Sequence, residues 1–179
     1  MNMCESLYIF VEDNNDKRFF ERIKGIISEC TGIKTIFIVP HVQKPDKLIN
    51  GYISKAKKTP NNTYLFVSDR DSNHFPCMTK IKDKLSNKYK SLDIEKIVIV
   101  EEEIESWYFS GLKKKSLLNN CEDLDYNCSK EEFDNAIPEH YEKIDFLNEI
   151  LKYFDSKLAI NNNNSFNYFI QKLNIINTH

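Results

Sequence analysis

Short apolar runs alternate with amphipathic stretches through the first hundred or so residues of the chain. Four runs, Leu7–Val11, Thr35–Val39, Thr63–Val67 and Lys96–Val100, are rich in Ile, Val, Phe and Tyr. Near-continuous apolarity of this kind marks strands buried on both faces. Between them the apolar residues recur at helical spacing. Phe19, Phe20, Ile23, Ile26 and Ile27 make one stripe after Asn14, a candidate N-cap. Leu48, Tyr52 and Ile53 make a weaker one within Lys47–Lys57, and Met78, Ile81, Leu85 and Tyr89 a third. The order β-α-β-α-β-α-β predicts an α/β fold: a mainly parallel sheet of about four strands, flanked by helices and joined by right-handed crossovers.

Beyond Val100 the pattern changes. Ile104, Trp107, Tyr108 and Leu112 predict a fourth helix, closed by Gly111 and the basic run Lys113–Lys115. Residues 119–135 are polar, acidic and poorly periodic. Helices are predicted over Glu139–Phe154 and Ser165–Leu173, joined by a loop at Asn161–Asn164. Residues 1–115 are thus expected to form an α/β domain and 116–179 a helical annex packed on it. A chain of 179 residues, 41% of them hydrophobic, has the material for one core of that kind.

The net charge of −2 describes neither a generic DNA-coating protein nor an acidic tail. Only Arg18, Arg22 and Arg70 are arginines, so a nucleic-acid partner requires a local lysine patch. Five cysteines without a CxxC pair are expected to be reduced thiols rather than zinc ligands. The opening MNMCESLYIFVED has no basic segment and only a short apolar run, so no signal peptide is expected. No run approaches the ~20 residues of a membrane span. A cytoplasmic protein with no membrane contact is the expectation.

The carboxylates carry the chemistry. Asp69 and Asp71 end the third run one residue apart, so in an extended chain they project to the same side. Their repulsion requires a positive neighbour: a divalent cation, Arg70 or a lysine. Glu12 follows the first run, with Asp16 one helical turn on, and Glu101, Glu102, Glu103 and Glu105 follow the fourth. Each group falls at the carboxyl end of a predicted parallel strand, the edge where open α/β sheets bind ligands. If the first and third strands are neighbours, Glu12, Asp69 and Asp71 converge. Hard oxygen ligands without His or Cys suit Mg²⁺ or Mn²⁺. Structural alternatives stand beside this. Asp16 suits the positive end of its helix, and the Asp69/Asp71 pair suits an Asx-type turn. Glu102 and Glu103 read as solvated surface, Trp107 as core, and Glu105 as a carboxylate at the border of an apolar stripe. The lysines at 80, 82, 84, 88 and 90, and at 55, 57 and 58, suit either a phosphate backbone or a solvated face.

The segments YIFVEDNNDKRFFERI, YLFVSDRD and KIVIVEEEIESWYF together resemble a Toprim domain, the fold of topoisomerases, bacterial primases and OLD-family nucleases. The likeness is closest to small bacterial Toprim-like proteins linked to phage defence, and it covers roughly residues 5–112. It implies a metal-dependent nuclease with Asp69 and Asp71 as ligands of one Mg²⁺ or Mn²⁺, and Glu12 as ligand or base for the attacking water. Asp16 and Glu105 would serve a second metal. By the same resemblance Lys143 or Lys157 would meet the phosphate charge, and the partners would be DNA or RNA and a separate ATPase. Where the family commonly has Gly after the first Glu, this chain has Asp13, which either obstructs backbone approach to a phosphate or adds a ligand. A DxD also serves nucleotide-sugar transferases and aspartyl-phosphate phosphatases, but the phosphatase motif follows a first strand. The non-catalytic alternative is a Toprim-like adaptor that binds an ATPase or a phage protein.

Overall fold

The computed structural model describes residues 5–70, 77–119 and 124–177. Four strands, β1 (Ser6–Val11), β2 (Thr35–Pro40), β3 (Asn62–Asp69) and β4 (Ile97–Val100), form one all-parallel sheet in the order β2-β1-β3-β4. Successive residues alternate faces, and both faces are covered. Leu7, Ile9, Val11, Leu65, Val67, Val98 and Val100 point into a large core, whereas Phe10, Tyr64, Phe66, Ile97 and Ile99 point into a smaller one.

The smaller core is closed by α3 (Asp46–Lys58) and α4 (Met78–Lys88) through Ile49, Ile53, Ala56 and Ile81. The larger is closed by α1 (Asn14–Arg22), α2 (Lys24–Thr31), α5 (Ile104–Ser110), α6 (Lys130–Ala136), α7 (Lys143–Leu151), α8 (Ser156–Asn162) and α9 (Asn164–Asn177). Trp107 is fully buried there, its ring against Phe19, Phe20, Phe166 and Phe169. The same core thus holds side chains of the sheet and of the C-terminal helices. None of the described helices is long and apolar enough to cross a membrane.

Several elements differ from expectation, each for a local reason. The first helical stripe breaks at Ile23, which ends α1 and begins α2 while staying buried at the joint. The N-cap is Asp13, whose carboxylate accepts from the Asn15 N–H at 2.6 Å and the Asp16 N–H at 3.2 Å, one residue ahead of the expected Asn14. The stretch read as aperiodic contains α6, started by a capping box of Ser129 and Glu132. The helix expected over Glu139–Phe154 shortens to α7, and α8 follows it from an Asp155 N-cap. The Asn161–Asn164 stretch is not a loop: only Asn163 separates α8 from α9.

Asn163 is 1% exposed and works as a polar hub. Its Oδ1 accepts from the Phe166 N–H and the Ser165 hydroxyl, and its Nδ2 donates to the Tyr126 carbonyl and Asn127 Oδ1. Ser165 in turn accepts the Trp107 indole N–H at 2.8 Å, which ties α9 to α5. At the other end of α5, Gly111 is required by packing, because a Cβ there would run into the Phe154 ring.

Candidate functional site

The chain leaves β1 toward β2 on one side of the sheet and returns past β1 to β3 on the other. The carboxyl ends of β1 and β3 therefore flank a topological switch point, where open parallel sheets bind ligands. A cleft of about 230 Å³ opens there. Six carboxylates line it, from Glu12, Asp13, Asp16, Asp69, Glu103 and Glu105, and the one lysine among the described lining residues is Lys130.

Backbone geometry brings these groups together. Glu12 directly follows β1, and its Oε1 accepts from the Ser68 hydroxyl at 2.6 Å and the Asp69 N–H at 3.0 Å. Two neighbouring strands are thus clamped at their carboxyl ends. The Glu12 N–H donates to Asp16 Oδ2 at 2.9 Å, which turns the first turn of α1 back over the strand end. Asp69 is the last residue of β3, two residues beyond the expected strand end. The loop after β4 meets it from the far side, where the Arg70 N–H donates to the carbonyls of Val100 and Glu102. Glu102 adopts φ 60°, the left-handed region that a non-glycine residue seldom occupies. Glu103 ends that loop, and Glu105 stands in the first turn of α5.

Crowding and burial hold protons on this cluster. Burial is the largest influence raising Asp16 to about 8, followed by the charge of Asp13, with Glu12 and Glu105 adding to it. The hydrogen bond from the Glu12 N–H opposes the rise. Asp69 is raised well above the usual carboxylate range by burial first, then by Asp16, Glu12, Glu105 and Glu103. Its Oδ1 is buried with no hydrogen-bond partner among the described residues. Glu103 is raised by burial and by Glu105. A buried carboxylate oxygen without a partner is costly, and this one sits among like charges. The donor set is all oxygen, with neither His nor Cys in the described lining.

The expected site residues divide as follows. Glu12, Asp16, Asp69 and Glu105 all line the cleft, whereas Asp71 lies outside the described residues. No group of three or more His, Cys, Asp or Glu side chains among the described residues is disposed to hold a metal ion. Lys143 does not line the cleft. Its ammonium bridges Glu105 at 2.8 Å and Asp134 at 2.7 Å, behind the cleft wall. Burial pulls the Lys143 pKa down, but the hydrogen bonds to Asp134 and Glu105 outweigh it and the net shift is upward. Lys157 is exposed on α8. Of the lysines on α3 and α4, Lys57 is held by Asp93 at 2.6 Å and Lys88 by Asp46 at 3.4 Å.

Comparison with protein families, with curated proteins and with solved structures finds no match to this chain.

Three features escaped the sequence reading. Glu103, read as solvated, is half-buried in the cleft wall. Lys130 reaches the cleft from the first residue of α6, a helix signalled only by its capping box. Ser68 is an unremarkable strand residue in sequence, yet its hydroxyl fixes Glu12. Asp13, read as an obstruction or a ligand, has φ −134°, so the backbone there does not require glycine, and its carboxylate caps α1.

Proposed function

We propose that the cleft binds Mg²⁺ or Mn²⁺ and that the protein is a metal-dependent nuclease of Toprim type, cleaving phosphodiester bonds in DNA or RNA. The observation that carries this reading is the partnerless, buried Oδ1 of Asp69 among Glu12, Asp16 and Glu105 at the sheet's carboxyl edge. No hydrogen bond among the described residues uses that oxygen, and a cation would convert the repulsion around it into attraction.

Asp69 and Glu12 would hold the ion, with Asp16 and Glu105 available for a second. A bound divalent ion there would polarise a phosphoryl oxygen and lower the pKa of a coordinated water. Glu12 is oriented for its part: Oε1 is fixed by Ser68 and Asp69, and Oε2, with no hydrogen bond among the described residues, is left for a ligand or a water proton. Asp16, held near pH 8 by its surroundings, carries a proton at neutral pH that cation binding would displace. Lys130, exposed at the cleft, takes over from Lys143 as the cation that meets phosphate charge. A separate ATPase as partner and a role in defence against phage belong to the same reading, as does a cytoplasmic location.

A second reading, a non-catalytic Toprim-like adaptor, is favoured by one observation: Lys143, the expected phosphate partner, is committed to Glu105 and Asp134. The two separate in a cleavage assay with plasmid, single-stranded DNA and total tRNA, with Mn²⁺ or Mg²⁺. The nuclease reading predicts products from the wild type and none from Asp69→Ala. Equal products from both proteins, or none from the wild type with its ATPase partner present, sink it.

A further inference from the structure

The two edges of the sheet are protected very differently. β4 is four residues long and every one is buried. β2, sequence TIFIVP, is six residues long and carries no charged side chain. Ile36 and Ile38 point into the larger core, while Phe37, on the opposite face, is 45% exposed and stacks on Tyr8 at 4.9 Å. No described strand pairs with the outer side of β2. Long, neutral, open edges are templates for strand pairing, and proteins usually blunt them with charge, proline or a covering element. Within β2 itself, among the described residues, Pro40 at the very end is the one such feature.

A second exposed apolar surface lies on α3, the helix that follows β2. Tyr8 packs against the smaller core beneath α3, and the outer side of α3 adds a groove lined by Pro45, Leu48, Gly51 and Tyr52 between Lys47 and Lys55. Half of the eight large exposed hydrophobic residues among those described, Phe37, Val42, Leu48 and Tyr52, lie on β2, on the turn after it, or on α3.

We propose that β2 pairs antiparallel with the β2 of a second copy of this chain across a two-fold axis, joining the two sheets into one. The strand is self-complementary. A neutral segment laid against itself opposes no like charges. With the axis at Phe37, that residue faces its counterpart, Ile36 faces Ile38, and Thr35 faces Val39, so every side chain keeps its own face. A slip of one residue would set Phe37 opposite Ile38 and mismatch the two faces of the pleat. The area is also of the right order. Since an aromatic side chain buries ~150–250 Å² in full, the exposed parts of Phe37, Val42, Leu48 and Tyr52, if all were covered, would supply about 300 Å² per copy, a little over a third of the ~800 Å² per partner of a standard interface, the rest coming from the paired backbones and their flanks. The two sheets then point their carboxyl ends in opposite directions, which leaves each cleft open and makes the pairing independent of what the cleft binds.

Sedimentation velocity on the full chain, from low to high micromolar concentration, tests the pairing. The wild type should pass from monomer to dimer. Phe37→Lys, which sets two ammonium groups against each other on the axis, should weaken the dimer by about tenfold or more, a ~1.4 kcal/mol effect, with an unchanged circular dichroism spectrum. A wild type that stays monomeric throughout, or a dimer that Phe37→Lys leaves intact, overturns the proposal. The register has its own readout: under mild oxidation Phe37→Cys should form a disulfide-linked dimer above the wild-type background, because the two Cβ atoms would lie within bridging reach. Cross-linking through Thr35→Cys but not Phe37→Cys contradicts the pairing.

Discussion

Replacing Asp16 by asparagine should stabilise the metal-free protein, increasingly so as pH rises from about 4 to about 8. Asp16 is 3% exposed, and its carboxyl is raised from 3.8 to about 8, chiefly by burial and then by Asp13. The folded state therefore holds its proton more tightly than the unfolded chain does. Stability attached to that proton is complete below the unfolded pKa, near 4, and is lost as pH rises toward 8. At ~1.4 kcal/mol per unit of pKa, full ionisation in the fold would cost ~6 kcal/mol. That is a ceiling, because Asp69 is raised as well and the cluster shares its protons. Asparagine cannot ionise, and its amide oxygen can still accept the Glu12 N–H. Asp16→Asn should therefore match the wild type near pH 4 and exceed it by roughly 1–3 kcal/mol at pH 8.5, or about 3–10 °C in Tm for a chain of this size. Urea and thermal denaturation in EDTA at both pH values measure it. A variant no more stable than wild type at pH 8.5, or stabilised just as much at pH 4, refutes this electrostatic reasoning.

Lys143→Met should lower the unfolding free energy by ~2–4 kcal/mol, since it strands the buried Glu105 carboxylate without its counter-charge. Adding Glu105→Gln should restore much of the loss, and urea melts at neutral pH decide it. Asn163→Ala removes the acceptor for the Phe166 N–H and the Ser165 hydroxyl and the donor to the Tyr126 carbonyl, all near the α5–α9 junction. It should cost roughly 2–4 kcal/mol in the same assay, from buried groups left unpaired.

The strands were legible because a parallel strand covered on both faces must be apolar at nearly every position, as Leu7–Val11 and Ile97–Val100 are. β3 runs further than its apolar run because Ser68 and Asp69 stay in register with β4 while their polar atoms meet Glu12. The meeting of Glu12 with Asp69 followed from placing both at strand ends, but the adjacency of β1 and β3 that makes it possible is a property of topology. The Asn tract read as a loop because asparagine usually marks one. Nothing in its composition shows that Asn163 would be buried with its amide satisfied on both sides. Lys143 was legible as a residue of interest, but its commitment to Glu105 depends on how α6 and α7 pack beside α5. Nor is α6 visible as a periodic stripe, since only Phe133 and Ala136 of its seven residues are buried.

On the proposed function, the carboxylate cleft is a divalent-cation site. Titration calorimetry of the metal-free protein with Mn²⁺ at pH 7, in two buffers of different ionisation enthalpy, tests it most directly. Saturable binding is expected, accompanied by release of a large fraction of one proton, because Asp16 and Asp69 give up the protons that burial and crowding hold on them, and both signals should be lost in Asp69→Asn. No binding at millimolar Mn²⁺, or identical heats and proton release from the wild type and Asp69→Asn, contradicts it.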